Sequence, residues 1–256
     1  MSKSHIMIPR LIMKKFSYKI SGKGTFVKCL DITTMNIEDK KISELDVKYG
    51  YYVPVVENYL ANSVERPFGD VAYKIYNMNK NDEHPNLTIQ ELQIMRNFIK
   101  MSIIRNPKII NEIKNEDPLI NLIDGFDQNY IISVNDAVNN QFLNKKMYML
   151  LNKSRKGFVV PHNMMYALYF KSIEKYVICM TINRHIILCL DQSSESNEIT
   201  VGEIMEDSVV VAINKAIFAH ERKNDNPYII GYEKDLLELK EKSEEVNESY
   251  ILSINI

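Results

Sequence analysis

The sequence predicts an α+β fold, with a small, mixed and mostly antiparallel sheet packed against several helices. Three observations carry that expectation. Segments with helical spacing of apolar residues are interspersed in mixed order with short β-rich runs. Two almost wholly apolar runs, YVICMTI and HIILCLD, are separated by a tight Asn183-Arg184 turn, which describes a hairpin buried on both faces. The closing stretch YILSINI alternates Tyr250, Leu252, Ile254 and Ile256 against Ser253 and Asn255, the period of a half-buried strand.

In chain order, HIMIPRLIMKKF opens with an apolar run broken by Pro9 and Arg10 and followed by Lys14 and Lys15. A secretory leader needs an uninterrupted apolar core and a small-residue cleavage site, so this segment is expected to belong to the folded domain. TFVKCLDI follows the turn-forming SGKG and reads as a strand. In PVVENYLANSVERPFGDVAYKIYNM, Val56, Leu60, Val64, Phe68, Val71 and Ile75 share one helical face, and Pro67 is expected to kink or divide the helix. Thr88 and Glu91 have capping-box spacing at the start of TIQELQIMRNFIKMSIIR, and Asn106-Pro107 ends that helix. A third helix is expected over 136–152. Short strands follow it: FVVP, then the YVICMTI and HIILCLD pair. A fourth helix is expected over EDSVVVAINKAIFAH and a charged one near 233–243.

The chain of 256 residues is long enough for one sizeable core and shows no linker, so 1–256 reads as a single domain. With 32 basic and 33 acidic side chains, bulk charge gives no strong signal for nucleic acid or an anionic membrane. No apolar run reaches the roughly 18 residues of a membrane span. Cys29, Cys179 and Cys189 are odd in number and lack metal-ligand spacing, so they are expected to be reduced, buried and inert in a cytoplasmic protein. Only eight glycines are present, without a phosphate-cradling loop or dinucleotide fingerprint, and the five histidines are scattered. No cofactor and no metal are therefore expected.

What remains is polar residues set in apolar surroundings, where functional groups reveal themselves. These are His5 and Arg10 around Pro9, Glu57 and Glu65 on the first long helix, Arg105 at the end of the second, His162 and Asn163 after FVVP, and Asn214 inside an apolar helical run. Each also has an ordinary structural explanation. Arg105 suits a helix C-terminus, Asn163 suits a turn, and Asn214 can bridge backbone groups.

The order of these motifs resembles the bacterial domain-of-unknown-function family number 4238. Its opening His-x-x-Pro-(Gln/Arg)-x-x-Leu-x-x-Phe segment is matched by His5, Pro9, Arg10 and Phe16, with one extra residue between histidine and proline. VENYLANSVERPFGDVAYKI resembles its paired-glutamate helix through Glu57 and Glu65, and FIKMSIIRNP resembles its Phe-x-x-x-Gln-x-x-Arg-x-Pro segment through Phe98, Arg105 and Pro107. The helix with Asn214 matches the family's asparagine helix. Two departures bear on function: Ser102 stands at the glutamine position, and Pro161, His162, Asn163 and Met164 stand where the family has Ser-Asp-Asn-Pro. The resemblance implies a bacterial or phage-associated setting and no settled activity.

The combined expectation is a polar pocket of His5, Arg105, His162 and Asn163, supported by Glu57 and Glu65. Arg10, Arg105, Asn163 and Asn214 are its ligand-binding candidates. One function is recognition of a small anionic ligand or a protein partner, with Arg105 as anion anchor. The alternative is a hydrolase, with a phosphodiester as one substrate class and His5 or His162 as general base beside Arg105. A homodimer would arise if the C-terminal strand paired between subunits.

Overall fold

A computed structural model describes residues 3–104, 144–171, 173–243 and 253–254. The contacts divide the chain into two compact units that interleave in sequence: unit 1 is Met1–Pro9, Asp46–Lys145 and Glu195–Glu198, and unit 2 is Arg10–Leu45, Lys146–Ser194 and Ile199–Ile256.

The described part of unit 1 is mainly helical. Strands β1 (Lys3–His5) and β5 (Val47–Tyr49) form an antiparallel pair, with His5 opposite Val47. Helix α2 (Pro54–Tyr59) passes into a π-helical segment, Leu60–Glu65, and then α3 (Arg66–Lys80). The expected break near Pro67 therefore takes the form of widened turns immediately before the proline. A proline lacks the N–H for an i−4 bond and its ring crowds that carbonyl, so loosening the preceding turn relieves both problems. The anticipated stripe is inward: Val56, Leu60, Val64, Phe68, Val71 and Ile75 are all buried. Phe68 stacks on Phe98 of α4 (Ile89–Ile104), with ring centroids 3.7 Å apart. The Thr88–Glu91 capping box forms in both directions: Thr88 N–H donates to Glu91 Oε2 at 2.8 Å and Glu91 N–H to Thr88 Oγ1 at 3.2 Å.

Among the described residues, unit 2 holds two sheets and three α-helices. The six-stranded sheet runs β11-β6-β10-β9-β8-β13 and the five-stranded one β2-β3-β12-β7, with β4 on β3. Their strands are β2 (Lys19–Ser21), β3 (Gly24–Asp31), β4 (Ile37–Lys41), β6 (Lys145–Asn152), β7 (Val160–Pro161), β8 (Met165–Phe170), β9 (Lys175–Asn183), β10 (Ile186–Glu195), β11 (Ile199–Ile204), β12 (Tyr228–Gly231) and β13 (Ser253–Ile254). Antiparallel pairs dominate, with parallel pairs at the two margins of the larger sheet, β11 on β6 and β13 on β8. One core is shared by both sheets with α5 (Asp207–Lys223) and α6 (Glu233–Glu241), through residues such as Leu30, Phe158, Phe170, Ile213, Phe218, Ile229 and Leu236. The α+β class is as expected, with more strands than the sequence disclosed. Helix α1 (Arg10–Lys15) buries Ile12 and Met13.

One element differs in kind. The helix expected over 136–152 is, in its described part, strand β6, and residues 136–143 lie outside the described residues. Its run Met147 to Leu151 is buried side chain after side chain, a pattern without a two-residue alternation that a fully buried strand shares with a buried helix. The hairpin of β9 and β10 forms as expected, with Cys179 opposite Cys189. The YILSINI strand is seen at Ser253 and Ile254, which pair with Tyr169 and Phe170 of β8; its other residues lie outside the described ones.

Candidate functional site

The candidate site is built on the segment 157–164, GFVVPHNM, because buried polar side chains from α5 and α6 and a main-chain carbonyl of the β9–β10 turn converge on its backbone. Gly157 N–H donates to Asp235 Oδ1 at 2.9 Å, and Gly157 carbonyl accepts from Asn214 Nδ2 at 2.8 Å. Phe158 N–H donates to the carbonyl of Arg184 at 3.0 Å, and Val159 N–H to Asn214 Oδ1 at 3.1 Å. Val160 and Pro161 then pair with β12. A β-carbon at 157 would lie 2.5 Å from Asp235 Oδ2 and 3.2 Å from Arg184 Nε, so any other residue there would have to displace the carboxylate that holds Gly157 N–H. Burial pushes the Asp235 carboxyl above the ordinary carboxylate range, with Arg184 and Lys234 pulling against that shift.

Beyond the strand the chain turns at Pro161–Met164, closed by Met164 N–H donating to Pro161 carbonyl at 2.9 Å. Met164 is buried and sits at φ +62°, a left-handed conformation that a methionine adopts only when its surroundings impose it. His162 and Asn163 occupy the two central positions. Asn163 N–H donates to Glu221 Oε2 at 3.4 Å, and the His162 ring meets the Tyr228 ring edge-on at 4.8 Å. Asn163 Oδ1 is buried with no hydrogen-bond partner among the described residues.

Glu221 is the hub. It is wholly buried at the end of α5, two turns beyond Asn214 on the same face. Its Oε1 accepts from Asn226 Nδ2 at 3.1 Å and lies 3.1 Å from His220 Nδ1. One carboxylate thus fixes the main chain of Asn163, the amide of Asn226 and the imidazole of His220, whose side chain is 37% exposed.

The nominated residues therefore divide. His162, Asn163 and Asn214 act on one segment of unit 2. His5, Glu57 and Glu65 belong to unit 1, where Glu57 accepts a hydrogen bond from Ser4 Oγ and His5 is half-buried in β1. Arg10 is exposed at the start of α1 in unit 2. Arg105 and Pro107 lie outside the described residues. Ser102 is buried and its hydroxyl donates to the carbonyl of Phe98 at 2.8 Å, a back-bond within α4. Asn214 plays the bridging structural role, since both ends of its amide are consumed by backbone.

Glu221, His220, Asn226, Asp235 and Arg184 were not nominated. A signal existed for Glu221: it continues the buried stripe of Val210, Ile213, Asn214 and Ile217 at helical spacing. Asp235 gave no such signal, because it lies among Glu233, Lys234 and Glu238 in a segment that reads as a solvated charged helix.

Among the described residues no group of three or more His, Cys, Asp or Glu side chains could hold a metal ion, and no helix is long and apolar enough to cross a membrane. Compared with protein-family models, curated proteins and solved structures, the chain matches none.

Proposed function

We propose that this chain is a recognition protein, and that the His162–Asn163 turn receives a small anionic ligand. The observation that supports this reading is the Asn163 amide: its Oδ1 has no partner, yet its backbone is held by the Pro161–Met164 turn and by Glu221. A polar group left without a partner on a fixed backbone is pre-organised for a ligand, because binding then orders little that is not already ordered. Glu221 turns its acceptor oxygens toward protein donors, so the polar side-chain group at this turn without a partner among the described residues is the Asn163 amide. The amide's O and N are interchangeable by rotation, and it can present its NH2 to an anion. The bacterial or phage-associated setting and the cytoplasmic location belong to the same proposal, on the family likeness and the cysteine content.

The test is native mass spectrometry of the purified chain, together with thermal shifts in inorganic phosphate, sulfate and acetate. A retained or stabilising anion that is lost in Asn163→Leu and His162→Ala, with the unliganded melting temperature unchanged, is the expected outcome. Absence of any anion effect in the unaltered chain would refute it.

A second reading, hydrolysis with a histidine general base, is favoured by His220. A carboxylate on Nδ1 orients the ring and leaves Nε2 as the proton acceptor, the base-and-orienter arrangement of acid–base catalysis. Cleavage of bis(4-nitrophenyl) phosphate that is lost in His220→Gln would select this reading over simple recognition.

A further inference from the structure

Cys179 of β9 and Cys189 of β10 are Cα partners in the antiparallel register, and their sulfurs stand 3.1 Å apart. Both side chains are wholly buried in the unit 2 core. Directly opposed residues on antiparallel strands hold their β-carbons about 4.5–5.5 Å apart, and a disulfide needs about 3.5–4.5 Å, so a small approach of the two strands suffices. Three inert thiols were expected from the sequence; Cys29 stays apart from the pair, in β3 opposite Ile230 and Glu38 in the other sheet.

We propose that Cys179 and Cys189 form a two-electron redox pair that a low-molecular-weight disulfide of the glutathione type converts to an intrachain disulfide. One cysteine, as thiolate, attacks the small disulfide and releases one equivalent of thiol. The second cysteine then attacks the resulting mixed disulfide and releases the other. Overall, two protein thiols are oxidised, the small disulfide is reduced to two thiols, and both protein protons end on the released thiols.

The fold dictates that this exchange is slow. Burial, with Cys179 beside it, pushes the Cys189 thiol well above its ordinary range, so the thiolate is scarce while the sheet is closed. Exchange therefore proceeds from states in which the hairpin opens, and the new bond then raises the barrier to opening again. The consequence reaches the 157–164 segment. The loop between the two cysteines carries Arg184, whose carbonyl accepts from Phe158 N–H at 3.0 Å and Asn152 Nδ2 at 3.2 Å. Oxidation fixes the hairpin that supports that segment, whichever ligand the segment takes.

The test is equilibration of the whole chain in glutathione buffers of increasing oxidised fraction, at a urea concentration just below the unfolding transition so that the hairpin samples open states. Acid quench, unfolding, alkylation and mass spectrometry then count free thiols. The expected result is loss of two alkylatable thiols, mapped to a peptide pair joining Cys179 and Cys189, in the unaltered chain and in Cys29→Ser. Cys179→Ser and Cys189→Ser should instead stop at a single mixed disulfide. Three alkylatable thiols at every poise, or glutathione adducts without the internal bond in the unaltered chain, would overturn the proposal. Hydrogen exchange at 179–189 slowed at least tenfold on oxidation is the expected structural effect, and unchanged exchange would overturn the claim that the bond holds the hairpin.

Discussion

Replacing Asn214 with alanine tests the central structural claim about the 157–164 segment. The asparagine amide donates to Gly157 carbonyl at 2.8 Å and accepts from Val159 N–H at 3.1 Å, and all three residues are buried. Alanine leaves one main-chain acceptor and one main-chain donor without partners in an apolar core. Each such orphan costs about 1–3 kcal/mol, so the sum is about 2–6 kcal/mol, and entry of one water into the vacated space would bring the loss toward the lower figure. Asn214→Asp is the sharper companion: it keeps the acceptor for Val159 but sets a carboxylate oxygen against the Gly157 carbonyl, so its penalty should grow as pH rises and the new carboxyl ionises. Because the chain forms two compact units, urea unfolding should be followed by hydrogen exchange resolved at 157–161 rather than by a single global signal. Lys223→Ala, an exposed change on the same helix, serves as control and should stay within about 0.5 kcal/mol. Asn214→Ala inside that same margin, with unchanged exchange at 157–161, would refute the claim that buried side chains hold this segment in place.

Asp235→Asn keeps an acceptor for Gly157 N–H but removes a carboxyl whose folded pKa is raised by burial. A raised carboxyl binds its proton more tightly in the folded chain, so its contribution is complete below about pH 4 and is lost as pH climbs through the raised value. The variant's stability relative to the unaltered chain should therefore increase across that window in pH-dependent urea melts, and a flat difference would contradict the assignment. Thr88→Ala breaks the capping box at α4 and should cost about 1 kcal/mol in urea unfolding; no change would mean that this helix start contributes nothing to stability. Deleting residues 249–256 strips β13 from the margin of the six-stranded sheet and should lower the melting temperature while leaving the oligomeric state unchanged. A stable monomer replacing a dimer would instead show that the strand had paired between subunits.

Sequence alone determined the elements marked by a clear apolar period, a cap or a tight turn. The stripe from Val56 to Ile75, the Thr88–Glu91 capping box, the β9–β10 hairpin, helix α5 and the strand nature of Ser253 and Ile254 were all legible, because amphipathic spacing and cap chemistry act within a few residues. It nominated His162, Asn163 and Asn214 by the same logic, as polar groups in apolar company. It did not determine β6, whose unbroken apolar run carries no period, nor β11 and β12, whose partners lie on distant parts of the chain. Only the tertiary structure decided that Asn214 is consumed by backbone, that Glu221 joins Asn163 to His220, that Asp235 reaches Gly157 across 78 positions, and that two of three thiols face each other. The physical reason is shared by all four. A hydrogen bond or a sulfur contact depends on separations of about 3 Å between atoms that chain topology brings together, and such separations leave no periodic trace in the order of residues.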